Sequence, residues 1–211
     1  MGTRTIQRAD ALLWVGDSAL YIWDGRDRSE GCIRLLGKEG EWFPYVPGFY
    51  DIWEDAPRYQ RELRSLLGGA RLWGRRRVLL VVPEDLTQVE SVALEDFVYA
   101  AMGGGLKRRG GVVFCSQSEA LRAPEGRYIA VTHSCRCYCT AVVQGGAVVE
   151  KALLDVNECT REALLRQIRE FHSLYRDSAM EVYFPQMEAN LLLDGIGGEV
   201  SLAGIAAARL Y

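Results

Sequence analysis

Two histidines and six cysteines carry most of the reactive side-chain chemistry available to this chain, and four of them lie between positions 133 and 139. In "THSCRCYCT", Cys135, Cys137 and Cys139 alternate, so on a strand their side chains would share one face with His133. Imidazole and thiolate are good zinc ligands. Structural zinc sites, however, favour spacings that let the chain curl around the ion, whereas same-face strand positions are spread along it. Small hydrophobes facing a core are therefore the preferred reading. A metal set of His133, Cys135, Cys137 and Cys139 is the alternative, with a redox or metal-responsive cysteine strand as its functional form. Neither His133 nor His172 sits in a nucleophile motif, so neither is assigned acid–base work. Gly103, Gly104 and Gly105 lack the Lys-Ser or Lys-Thr of a phosphate loop and read as a helix stop.

The elements that must position these residues follow from periodicity. "ALLWV", "ALYIWD" and "GCIRLL" are strand-length runs broken at Gly16-Asp17-Ser18 and "GRDRSEG", which predicts an antiparallel meander. An irregular, aromatic excursion follows, from Gly37 to Glu54. Asp55 is a good N-cap for a helix with Pro57 in its first turn and an apolar stripe of Tyr59, Leu63, Leu66 and Leu67. "RVLLVVP" suits a central strand buried on both faces. Thr87 and Glu90 have capping-box spacing, and the helix they start should bury Val89, Ala93, Phe97 and Ala100. "GVVFC" is the next strand. "RYIAVTH", "CYCTAVVQ" and "AVVEKALLD" form a second meander turning at Gly145-Gly146. Thr160 caps a helix with Leu164, Ile168, Phe171 and Tyr175 on one side. "AMEVYFP" and "SLAGIAAARLY" read as a strand and a closing helix. Strand-strand-strand-helix-strand-helix thus occurs twice, dividing the chain into 1–124 and 125–211.

Composition sets limits. The chain has 211 residues, with 25 basic against 28 acidic side chains and a net charge of −3. That balance gives no nucleic-acid footprint, and Arg75-Arg76-Arg77 reads as a solvated lead-in to a strand. No apolar run reaches the roughly 20 residues of a membrane span, and the first residues carry no signal-peptide pattern. A cytoplasmic location with reduced cysteines is the expectation.

A duplicated meander with helix, strand and helix resembles the ribonuclease-H-like unit, and two in tandem resemble the superfamily of actin, sugar kinases and heat-shock chaperone ATPases. The likeness is sharpest to MreB-type bacterial actins. "VLLVVPEDLTQVESVALEDFVYAAMGGG" is similar to that family's strand ending in Pro, Thr-x-x-Glu cap and helix running into a Gly turn. "GVVFCSQSEALRA" is similar to its next strand and helix start. "RYIAVTHSCRCYCTAVVQGGAVVEKALLD" resembles its second hairpin in length, spacing and Gly-Gly turn. The fold class implied is α/β, two ribonuclease-H-like subdomains in a minimal actin-like architecture.

The same resemblance implies ATP and magnesium, and here the chain departs. In "VGDSALYIW" the glycine precedes Asp17 instead of following it. The second loop has His133, Ser134, Cys135 and Arg136 where the family has an acid and glycines, which phosphate needs for close backbone approach. The carboxylate that would hold hydrated magnesium is missing from that loop. Gln117 stands where the family places a water-activating Glu. The insertions common in the family are reduced or lost.

The leading expectation is therefore a non-catalytic actin-like protein. It would bind no cofactor and act on a protein partner or itself, in a cytoskeletal, cell-shape or division assembly. A divergent ATPase or sugar-kinase-like enzyme using Asp17, Ser18 and Gln117 is the alternative. Trp42, Phe43, Tyr45, Phe49, Tyr50 and Trp53 are candidates for a partner surface, since aromatics concentrate at interface hot spots. They could equally cover a core left open by a lost insertion. Trp14 and Trp23 lie on strands and read as core.

Overall fold

The computed structural model describes residues 9–35, 48–67, 77–102, 111–187 and 190–211. Strands β1 (Ala11–Val15), β2 (Ala19–Asp24) and β3 (Ser29–Arg34) form the first meander. A short 3₁₀ turn leads into α1 (Asp51–Glu54) and α2 (Ala56–Leu66), whose N-cap Asp55 accepts the Arg58 N–H. Then come β4 (Val78–Val82), α3 (Gln88–Ala101), β5 (Val112–Ser116) and α4 (Gln117–Ala120). The second half runs β6 (Arg127–His133), β7 (Cys137–Gln144), β8 (Ala147–Asp155), α5 (Arg161–Tyr175), β9 (Val182–Pro185), β10 (Gly198–Val200) and α6 (Leu202–Leu210).

The strands make two mixed five-stranded sheets, ordered β3-β2-β1-β4-β5 and β8-β7-β6-β9-β10. The orders are the same once each half is counted from its own first strand. In each, the first strand pairs antiparallel with the second and parallel with the fourth. The fold is α/β, with the two-subdomain layout the sequence implied.

Alternation along the central strands sorts their side chains into three apolar layers. Leu13, Val15, Leu80 and Val82 face α2 and α3. Leu12, Trp14, Leu79 and Val81 face a seam between the sheets, with Tyr128 and Ala130 opposite. Ile129 and Val131 face α5. Both faces of β1 and β4 are buried, which is why these strands are continuous apolar runs. Each side chain so buried contributes about 1.5–3 kcal/mol. Two helices share the seam by exchange. α4 follows the first sheet yet packs on β6, β7 and β8; α6 follows the second yet packs on β1 and β2.

The Gly145-Gly146 turn has positive φ at both residues, 61° and 77°, a backbone that side chains resist. It fixes the register that pairs Gln144 with Ala147.

Two expectations need correction. α3 buries Glu90, Leu94, Phe97, Val98 and Ala101, while Val89 is 79% exposed. The helix is rotated because Glu90 is drawn inward by polar partners described below. In the second half, the closing helix α6 follows an extra strand, β10, and so matches α4. The position of α3 holds turns at 191–196, which Arg161 clamps through the carbonyls of Leu192 and Asp194.

Candidate functional site

The two hairpin turns face each other at one end of the seam. In the first, the Gly16 N–H closes on the Ala19 carbonyl at 3.0 Å and Asp17 is held at the apex. Ser18 lies beside it, its carbonyl accepting the Leu35 N–H at 2.9 Å. In the second turn the Ser134 N–H closes on the Cys137 carbonyl at 2.9 Å.

Side-chain oxygens fill the space between. Asp17 Oδ1 accepts the Cys135 N–H at 2.8 Å, and its Oδ2 lies 3.1 Å from His133 Nδ1. Ser134 Oγ accepts the N–H groups of Arg136 and Cys137 at 3.1 and 3.2 Å and donates to Asp85 Oδ2 at 2.9 Å. The successive amides of this turn are thus satisfied from within the chain. An anion bound between the turns would have to displace Asp17 and Ser134, so the arrangement does not fit a triphosphate.

A second layer braces the first. The Arg136 guanidinium donates from Nη2 to Glu90 Oε1 at 2.5 Å and from Nη1 to Oε2 at 3.3 Å. Asp85 lies 3.9 Å away. Glu90 also accepts the Tyr50 hydroxyl at 2.6 Å and, as the capping-box residue of α3, the Thr87 N–H at 2.7 Å. Burial alone would raise the Glu90 carboxyl, but hydrogen bonds from Arg136, Tyr50 and the Thr87 amide outweigh it and hold it at about 2. Hydrogen bonding to Glu90 raises Arg136 in turn. Glu84 spans the seam: Ser118 N–H donates to Oε1 at 2.5 Å and Thr132 Oγ1 to Oε2 at 2.8 Å. Burial pushes this carboxyl up. Lys151 Nζ reaches the Glu84 carbonyl at 3.2 Å.

Of the residues assigned to the ATPase alternative, Asp17 and Ser18 lie in the first turn. Gln117 is buried at the start of α4, its Nε2 donating to the Val15 carbonyl at 2.8 Å. Its Oε1 is buried without a hydrogen-bond partner.

The cysteine strand is corrected in one respect. Cys135 sits in the turn before β7, so only Cys137 and Cys139 alternate on the strand, both buried. Burial pushes the Cys135 thiol up to about 12, helped by Asp17, and Cys137 up to about 11; Cys139 is raised as well. Such thiols resist the thiolate form that metal binding needs. Among the described residues no group of three or more His, Cys, Asp or Glu could hold a metal ion.

The aromatic excursion divides. Trp42, Phe43 and Tyr45 lie outside the described residues. Phe49, named with them as a surface residue, is 2% exposed and belongs to the first core. The Tyr50 and Trp53 rings meet at a 59° tilt with centroids 4.5 Å apart, and Trp53 packs partly buried against that core. Trp14 is buried, and Trp23 packs on the seam.

Sequence reasoning did not find Glu84, Asp85 or the Glu90–Arg136 pair. The signals were present: two acids directly after a buried strand, and an arginine at a hairpin tip.

No protein-family model matches the sequence, and no curated protein does. Solved structures do match. Ethanolamine utilization protein EutJ from Carboxydothermus hydrogenoformans superposes with a TM-score of 0.52 at 11% identity, over 97% of this chain and 88% of that one. MreB5 of Spiroplasma citri bound to AMPPNP gives 0.45 at 17% identity, over 80% of this chain. An exopolyphosphatase from Cytophaga hutchinsonii gives 0.42 at 9%, over 83% of this chain and 66% of that one. The match spans only 58% of MreB5. The likeness to EutJ is one of fold, and the two-sheet, two-subdomain layout of this chain is actin-like.

Proposed function

We propose that this chain is an actin-like protein that works by binding and has no nucleotide chemistry. The observation that carries the reading is the self-filled cradle: Asp17 and Ser134 already take the amide donors of the second turn. Its partner would be a protein, or a second copy of itself, in a cytoskeletal, cell-shape or division assembly in the cytoplasm. Tyr50 and Trp53, with Trp42, Phe43 and Tyr45, are the proposed contact residues. Among the described residues no helix is long and apolar enough to cross a membrane.

The test is thermal shift and calorimetry with ATP, ADP and magnesium. A ligand at a hundred times its dissociation constant stabilises a fold by about 2.7 kcal/mol. The expected result is no magnesium-dependent rise in melting temperature at millimolar ATP. A clear rise would overturn the reading.

One observation favours the divergent enzyme instead. Gln117 Oε1 is a buried acceptor without a donor, beside the residue that leads into the first turn. On that reading ATP would stabilise the protein, and Gln117→Ala would abolish hydrolysis while sparing binding.

A further inference from the structure

The two sheets leave four edge strands, and β8 is the longest, with nine residues against six in β3, five in β5 and three in β10. A long edge with exposed apolar side chains is a template for another strand unless something blunts it. The first half of β8 is blunted. Glu119 Oε1 accepts the Val148 N–H at 3.3 Å. Val149 is the extra residue of a β-bulge, since Val143 pairs with Val148 and Val142 with Glu150. Over 151–155 neither device is present among the described residues, and Leu153 is 47% exposed.

The register fixes which backbone groups point outward. The Ser134 N–H bonds the Cys137 carbonyl, so Cys137 is turned toward β6. On the other side of β7, the Val156 N–H bonds the Arg136 carbonyl at 3.0 Å. Bonding toward β8 thus falls to alternate residues of β7. Asp155, Leu153 and Lys151, which pair with Cys137, Cys139 and Ala141, therefore turn their N–H groups away from β7. The Asp155 carbonyl accepts the Glu158 and Cys159 N–H groups at 3.1 and 2.9 Å. Among the described residues, no backbone group outside the sheet donates to the carbonyls of Lys151 and Leu153. The three side chains share one face of the strand. Lys151 Nζ meets a neutral carbonyl, that of Glu84, and Asp155 Oδ1 takes the backbone and side-chain N–H groups of Asn157 at 2.9 and 3.0 Å. Neither Lys151 nor Asp155 forms an ion pair among the described residues.

These groups are self-complementary. A two-fold axis through an antiparallel pair sets one residue against its own copy. With Leu153 on the axis, two leucines meet, and each Lys151 lies opposite Asp155 of the second copy. With Lys151 on the axis, two ammonium groups would face each other. With Ala152 there, Lys151 would lie opposite Leu153. We propose that β8 pairs antiparallel with β8 of a second copy about an axis at Leu153, joining the second sheets of two molecules edge to edge. Opposite charges directly across the pair favour this register over its neighbours. The bulge and Glu119 confine the ladder to 151–155. So short a contact makes a weak dimer. The inference rests on the reading of the chain as a protein that works by binding, and it names a second copy as the partner.

Sedimentation equilibrium on the full chain over a concentration series tests it. The wild type should dimerise, and its Leu153 and Asp155 amides should exchange hydrogen more slowly as concentration rises. Lys151→Asp alone, or Asp155→Lys alone, should raise the dissociation constant at least about tenfold, because two attractive pairs become two repulsive ones. An equimolar mixture of these two variants should dimerise as the wild type does, since every charge pair between the copies is then attractive again. Asp155→Lys also removes the acceptor of the Asn157 amide, so melting curves accompany it. Leu153→Lys, at an exposed position, is the independent check. It sets two ammonium groups on the axis and should abolish the dimer while leaving the monomer folded. A monomer across the whole series, or a dimer that Lys151→Asp and Leu153→Lys leave intact, would overturn the proposal and leave a different protein as the partner. Magnesium-dependent stabilisation by ATP would instead overturn the reading of the cleft and leave the β8 dimer standing.

Discussion

Between the fourth and fifth strands of its sheet, the first half of the molecule places the helix α3, while the described residues of the second half hold only turns there. The difference explains how the halves are joined. α3 delivers Glu90 to the second hairpin turn, and the chain just ahead of it delivers Glu84 and Asp85. Asp17 completes the set from the first hairpin. These acceptors all come from the first half. Their cross-seam donors, Thr132, Ser134, the Cys135 amide and Arg136, all come from the second. A duplicated fold has become an interface with electrical polarity: an acidic face meets a face of donors.

The largest break in this arrangement should come from Arg136→Met. It leaves Glu90 buried among acids without its cation, and losing one partner of a buried pair costs about 3–5 kcal/mol. Chemical denaturation at neutral pH measures it. The pH dependence has a definite sign. Glu90 is held at about 2 in the folded state, below its ordinary 4.5. Its stabilisation is present above pH 4.5 and drains away as pH falls toward 2. The wild type should lose stability across that window, and Arg136→Met should lose much less.

A middle-sized effect separates the two turns. Asp17→Ala leaves the Cys135 amide unmet, and Ser134→Ala leaves those of Arg136 and Cys137 and the Asp85 carboxylate short of a partner. An unsatisfied buried group costs about 1–3 kcal/mol. If the donor face depends on Ser134 as a hub, Ser134→Ala should be the more damaging. Equal losses would show that the two turns are braced independently. The smallest effect is a control on the rotation of α3. Val89→Ser, at an exposed position, should change stability by no more than about 0.5 kcal/mol, whereas a helix seated on the expected stripe would lose well over that.

What the sequence made legible was local. β6, β7 and β8 match their expected bounds because a Gly-Gly turn and clean apolar runs leave one register open. The caps at Asp55, Thr87 and Thr160 were readable because they depend on residues three apart. α3 was misjudged because Glu90 is buried by partners 40 and 46 positions away, which outweigh the exposure of Val89. The same distance hid the cross-seam acids. Asp17 and Gln117 were recognised as lying near the cleft, but not that each is tied to backbone 118 and 102 positions away along the chain. β10 was missed because three residues, Gly198, Glu199 and Val200, carry no period and are specified by β9 alongside.

The exchange of α4 and α6 has a further consequence for how the molecule comes apart. α4 touches strands of both sheets and α6 is seated on the sheet it does not follow, so neither half can melt without stripping an apolar wall from its neighbour. Two subdomains that look separable by topology are in this respect one thermodynamic unit. Damage to either is felt by both.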